Sequence, residues 1–273
     1  MASTEQLGSE DILEQIKASR RLRRGDDSPC AAIEIDHTLT TLIKGEMELE
    51  GLMPWSSNYT FLVTLTQHLD QTKLLAIYKP GQGERPLWDF PSGMLCYREF
   101  ASYLVSEALG WPNIPPTVLR GGPHGSGSVQ LFIDAEYETH YFNLRHISTL
   151  TEDFRRVAIF DYIVNNADRK GGHCLKGKDG QIWAIDHGLT FHTDFKLRTV
   201  IWEFCEAAIP SPLLKDLERL RDQLRESSEF CQILGLFITL REIQAFKRRI
   251  DRLLTAGRLP ELHSSRNIPF PPV

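Results

Sequence analysis

Residues 166–175 read Asn166-Ala167-Asp168-Arg169-Lys170-Gly171-Gly172-His173-Cys174-Leu175, and Ala184-Ile185-Asp186-His187-Gly188 follows a short way on. The first stretch is a loop with an acidic residue and, five positions later, a side chain that can bind metal. Between the two lies Asp179-Gly180, a hairpin signal, because glycine takes the positive φ that a tight turn requires. The chain must therefore fold so that a loop, a hairpin and a second carboxylate come in succession. Phosphoryl transfer from ATP uses this order. One carboxylate orients or deprotonates the acceptor; the second, with a neutral ligand, holds a divalent ion on the phosphates.

The patterns on either side of this stretch differ. From Gly45 to Lys79 they are those of strands: Met47 and Leu49 alternate with glutamates, Tyr59–Leu65 is rich in β-branched and aromatic residues, and Leu74–Lys79 is nearly all apolar. Arg98 to Leu109 reads as a helix that Gly110 ends. Residues 121–128 are glycine- and serine-rich and read as a loop before a buried strand at Val129–Ile133. The second half is mainly helical. Thr149 and Glu152 are spaced as a capping box, Ser211–Ser227 carries leucines on one face, and Thr239 with Glu242 caps a last helix that Gly257 closes. The expected fold class is α+β: a two-lobed, protein-kinase-like arrangement with a small β-rich N-lobe and a helical C-lobe. The expected divisions are a mobile segment over 1–37 with a short helix near Ile12–Ile16, an N-lobe over 38–134, a C-lobe over 135–262 and a Pro-rich tail over 263–273.

Composition narrows the partners. A net charge of -5 argues against bulk attraction to nucleic acid or to an anionic membrane. Five scattered cysteines, with no C-x-x-C pair, point to reduced thiols rather than zinc ligands or a disulfide framework. No apolar run reaches the roughly eighteen residues a membrane span needs. The N-terminus lacks the pattern of a secretory signal, so a cytoplasmic protein is expected.

Other residues complete a nucleotide site, each with a plainer alternative. Lys79 ends an apolar strand and can neutralise nucleotide phosphates; otherwise it is a surface lysine at a strand end. Glu99 opens the following helix and can hold Lys79 by an ion pair; otherwise it complements the helix dipole, and Glu107 competes for the role. Ser56, Ser57 and Asn58 form a turn whose N–H groups can cradle phosphate, or an ordinary hairpin turn. Gln130, Phe132 and Ile133 lie where the backbone can meet an adenine edge, or they belong to a plain core strand. Asp168 is the candidate acceptor-orienting base and Asp186 the candidate metal bridge, against the alternative of turn or cap residues. His173 stands at the second metal position, although a lone loop histidine is more often structural. Arg169 can pair with a phosphate or a nearby carboxylate and Lys170 can reach the γ-phosphate; either can equally be a solvated loop charge. The basic cluster Arg20–Arg24 can touch phosphates or be a solvated tail.

Together these blocks, from 46 to 205, resemble the phosphatidylinositol 3-/4-kinase-like superfamily in its compact atypical branch. The chain resembles type II phosphatidylinositol 4-kinases and, more distantly, HipA-type kinases, and it also resembles a bacterial, largely actinobacterial group of the superfamily. The resemblance implies an ATP-dependent phosphotransferase that uses Mg²⁺ and acts on a hydroxyl of a protein, small molecule or inositol lipid. The family usually has Asn where His173 stands, and imidazole suits Mg²⁺ poorly. Either Mn²⁺ is favoured, or one metal suffices, or the second metal site is weak. The alternative is a nucleotide-binding pseudokinase serving as an interaction module. The same fold could also transfer AMP. The membrane-bound type II lipid kinases carry a Cys-rich loop that is missing here, which favours a soluble acceptor.

Overall fold

The computed structural model describes residues 8–23, 29–54, 58–136, 138–261 and 267–273. Helices α1 (Ser9–Arg20) and α2 (Pro29–Lys44) come first, then strands β1 (Glu46–Leu52), β2 (Phe61–Thr66) and β3 (Lys73–Pro80). Helix α3 (Leu95–Leu109) precedes β4 (Thr117–Gly122) and β5 (Gly125–Leu131). The second half holds a single turn α4 (Tyr141–Leu144), the long α5 (Thr151–Val164), and the hairpin β6 (Cys174–Lys176) and β7 (Ile182–Ala184). It ends in α6 (Ser211–Asp222), α7 (Glu229–Leu234) and α8 (Leu240–Ala256). A five-stranded antiparallel sheet in the first half and a helical second half make this an α+β, two-lobed, kinase-like fold.

The sheet runs in the order β1-β2-β3-β5-β4. Strand periodicity then decides where Lys79 goes. Ala76 and Tyr78 are fully buried on one face, so Ile77 and Lys79 point to the other, into the interlobe cleft. Lys79 pairs with Ser128 in β5. Next to it, Gly127 lies so close that an added Cβ would sit 2.3 Å from the Lys79 carbonyl oxygen, so only glycine fits.

Helix α3 is buried along nearly its whole length. It lies against β4 and β5 on one side and against α1 on the other. This corrects two expectations. In the segment read as mobile, the short helix expected near Ile12–Ile16 is present as the longer α1, and α2 begins within it: Ile12 and Ile16 are buried, and Arg20 bonds Glu107 of α3 at 2.7 Å and Asp36 of α2 at 3.1 Å. Arg21 reaches Glu229 at 3.4 Å, so these two basic residues face carboxylates instead of a phosphate. Residues 1–7 and 24–28 lie outside the described residues. The second correction is at 121–128, read as a loop; β4 and β5 run through it and pair down to Gly122 opposite Gly125.

Thr149 does not cap α5. That helix starts at Thr151 after a tight turn at Ser148–Leu150, with Glu152 and Asp153 in its first turn. The box at Thr239 and Glu242 does form, and Gly110 and Gly257 end α3 and α8 in the left-handed conformation. Among the described residues the main hydrophobic core runs from Ile12 to Leu259, with a smaller cluster at Phe90, Leu95 and Ala167. No helix among the described residues is long and apolar enough to cross a membrane.

Candidate active site

The lobes enclose a cleft of about 1010 Å³. Lys79 enters it from β3, Glu99 from α3, and Asp168, His173 and Asp186 from the helical half. The Lys79 ammonium donates to Glu99 Oε1 at 2.6 Å and to Asp186 Oδ1 at 2.9 Å. Glu107, the competitor for Lys79, is instead engaged with Arg20. Burial works against the Lys79 charge, but Asp186 and Glu99 outweigh it and hold the pKa above the ordinary lysine value. Burial likewise works against the Asp186 carboxylate, yet Lys79 and His173 hold it below the usual range.

Asp186 has φ 61, a left-handed conformation that a short polar side chain tolerates better than a bulky one. Its neighbours impose it: Ile185 N–H donates to His173 O at 3.0 Å, and His187 N–H donates to Glu99 Oε2 at 2.9 Å. The carboxylate is thereby turned toward Lys79, with His173 Nε2 3.4 Å from its Oδ2.

The loop before the hairpin is built on a buried ion pair. Arg169 and Asp161 are both wholly buried. Arg169 donates from Nε to Asp161 Oδ2 at 2.8 Å and from Nη2 to Oδ1 at 3.0 Å. Its Nη1 reaches Ile185 O at 2.6 Å and His173 O at 3.2 Å, and Nη2 meets His187 Nε2 at 2.7 Å. One guanidinium thus ties α5, the loop and both ends of the hairpin together, which fixes Asp168 relative to Asp186. Asn166 adds a bond to Asp161 at 2.9 Å and accepts the Asp168 N–H at 3.0 Å. Asp168 itself is partly exposed, with Lys170 Nζ 3.4 Å away. Burial pushes its carboxyl up, against the pull of Lys170. The far side of the loop is held by the chain end, where Pro272 O accepts the Gly171 N–H at 2.8 Å.

The remaining candidates are placed unevenly. Ser56 and Ser57 lie outside the described residues. Asn58 lines the cleft and accepts the Arg85 N–H at 2.9 Å. Gln130 lines the back of the cleft with its amide donated to Thr117 Oγ1 at 2.8 Å. Phe132 gives its N–H to Leu75 O at 3.0 Å, so that amide is already engaged within the sheet. Sequence reasoning missed Asp161, His187 and Arg98. Asp161 had a signal: an acidic residue among Phe160, Tyr162 and Ile163 must be buried, and a buried carboxylate needs a cation.

Among the described residues no group of three or more His, Cys, Asp or Glu converges as a metal cage. The two-residue set still fits a divalent ion whose other ligands come from phosphate oxygens and water. Burial pushes the His173 pKa down to about 4, so its ring is neutral at pH 7. Lys170 N–H points at Nδ1 from 3.4 Å, which leaves the ring proton on Nε2, toward Asp186. Ligation by Nε2 therefore requires the other tautomer, and one carboxylate with one imidazole suits Mn²⁺ better than Mg²⁺.

The model of the family described as phosphatidylinositol 3- and 4-kinase matches residues 120–248. Protein Rv2133c of Mycobacterium tuberculosis (strain ATCC 25618 / H37Rv) is 36% identical over 271 residues, a match covering 86% of this chain and 95% of that protein. The chain belongs to the phosphatidylinositol 3-/4-kinase-like superfamily. Within this superfamily, phosphatidylinositol 4-kinase gamma 4 of Oryza sativa subsp. japonica is 28% identical over 124 residues, covering 38% of this chain and 22% of that protein. Among solved structures, the Helicobacter pylori proinflammatory kinase CtkA aligns with a TM-score of 0.45 at 11% identity, over 79% of this chain and 93% of that one. The family match supports a kinase-type phosphotransferase.

Proposed function

We propose that the chain transfers the γ-phosphate of ATP to a hydroxyl on a soluble protein or small molecule in the cytoplasm. The observation that carries this reading is the Lys79 ammonium, held at 2.6 Å from Glu99 and 2.9 Å from Asp186 inside a nucleotide-sized cleft. Lys79 binds the phosphates and Glu99 positions it. Asn58, which lines the cleft, meets the phosphates, and the segment from Gln130 through Phe132 to Ile133 flanks the adenine. Asp168 takes the acceptor proton as the acceptor oxygen bonds the γ-phosphorus. The bond from that phosphorus to the β–γ bridging oxygen breaks, and ADP leaves. Asp186 and His173 would hold the divalent ion, which neutralises charge on the phosphates. The raised pKa of Asp168 suits a group that must accept a proton.

The test is transfer of γ-labelled phosphate from ATP, with Mg²⁺ or Mn²⁺, to the protein and to a cell extract, with Asp186→Asn alongside. Label that disappears in Asp186→Asn while the variant stays folded supports the reading. ATP binding with no transfer under either metal overturns it in favour of a pseudokinase. Transfer of α-label instead would indicate AMP as the group moved.

A further inference from the structure

Helix α3 carries two adjacent charged residues with different partners. Glu99 faces the cleft; Arg98 faces α8. The Arg98 side chain is only 3% exposed. Its Nη2 donates to Glu242 Oε1 at 2.5 Å, its Nη1 donates to Thr190 O at 2.5 Å, and its guanidinium lies 5.2 Å from the Phe90 ring centre. Glu242 divides its carboxylate between two tasks. Oε1 meets Arg98, whereas Oε2 accepts the N–H and hydroxyl of Thr239 at 2.8 and 2.7 Å, closing the capping box of α8.

Neighbouring residues of a helix are separated by a rise of about 1.5 Å on a rigid backbone. A slide or rotation that releases Arg98 therefore also withdraws Glu99 from Lys79 and from the His187 N–H. Arg98 is too buried for water to replace Glu242, and an unpaired buried charge would drive such a shift. We propose that Glu242 is a positioning residue for the Lys79–Glu99 pair, acting through Arg98, so that α8 fixes α3 where Glu99 reaches the cleft. The catalytic consequence rests on the phosphotransferase reading; the positional one does not.

The divided carboxylate allows a clean test. Glu242→Gln keeps a residue able to complete the capping box and removes the charge facing Arg98. Thr239→Ala removes the cap and leaves the bridge. Backbone amide exchange at His187, read by mass spectrometry, reports whether Glu99 still holds that N–H, with no need for activity. In Glu242→Gln, exchange there is expected to rise tenfold or more. The kcat for phosphate transfer is expected to fall tenfold or more, with KM for ATP changed less than threefold. In Thr239→Ala both stay within twofold while thermal stability falls. Unchanged exchange at His187 in Glu242→Gln, or an equal rise in both variants, overturns the proposal and leaves Glu242 as a cap alone. If Glu242→Gln does not fold, Arg98→Lys, which keeps a buried charge but not the planar fork that spans Glu242 and Thr190 O, takes its place, with the same two results deciding. An unmutated protein that transfers no phosphate refutes the phosphotransferase reading, and the exchange result still decides the positional one.

Discussion

Replacing Arg169 with methionine isolates the ion pair under the loop that carries Asp168. Methionine fills much of the volume but leaves the Asp161 carboxylate buried with one remaining donor, Asn166 Nδ2. Breaking one side of a buried pair costs about 3–5 kcal/mol. Ile185 O also loses the 2.6 Å bond from Nη1, which adds about 1–3 kcal/mol for a buried acceptor. His173 O suffers less, because it keeps the Ile185 N–H. The expected loss is about 5 kcal/mol, or roughly 10–20 °C in melting temperature for a chain of this size. Arg169→Lys keeps the charge but not the planar fork, and is expected to lose about half as much. Urea unfolding followed by circular dichroism measures both, and a midpoint that moves at constant slope marks a change in stability. A loss below about 1.5 kcal/mol for Arg169→Met would refute the claim that this guanidinium holds the loop.

Three further outcomes are expected. Gly127→Ala forces a Cβ against the Lys79 carbonyl and should destabilise by about 3 kcal/mol, visible in the same urea titration. Burial raises the Glu242 carboxyl, but Arg98 and Thr239 outweigh it and hold it below the ordinary value, so its stabilisation is present above about pH 4.3 and lost as pH falls through the folded-state value. The stability gap between the unmutated protein and Glu242→Gln should therefore narrow on acidification, measured as urea midpoints at pH 7 and pH 3.5. His173→Asn supplies an amide oxygen in place of imidazole and should raise transfer with Mg²⁺ relative to Mn²⁺ by tenfold or more, read from initial rates with each metal.

The strands and the last helices were legible because burial imposes a period on them: Ala76 and Tyr78 at a spacing of two, the leucines of α6 along one helical face. Helix α2 was not read, because Thr38, Thr40, Thr41 and Ile43 are β-branched and favour strands locally; packing against the sheet overrides that preference. The β4–β5 hairpin looked like a loop because glycine and serine compose it, yet Gly127 is there for close approach to Lys79 and not for flexibility. In the candidate site, Lys79, Asp168 and Asp186 were picked out by order and spacing, and the fold brings all three to one cleft. The choice between Glu99 and Glu107 followed from position along the helix, and the geometry gives Lys79 to Glu99. Arg98 with Glu242 could not be read, because no local pattern links residues 144 positions apart.

That separation also bears on how the chain is made. A ribosome adds about 5–20 residues per second, so Glu242 emerges roughly 7–29 seconds after Arg98. Through that interval α3 can pack its apolar face on the sheet, but its arginine must stay hydrated. The first half of the chain therefore waits, incompletely closed, for the second, and the nascent polypeptide holds its apolar helix partly open to chaperones until α8 arrives.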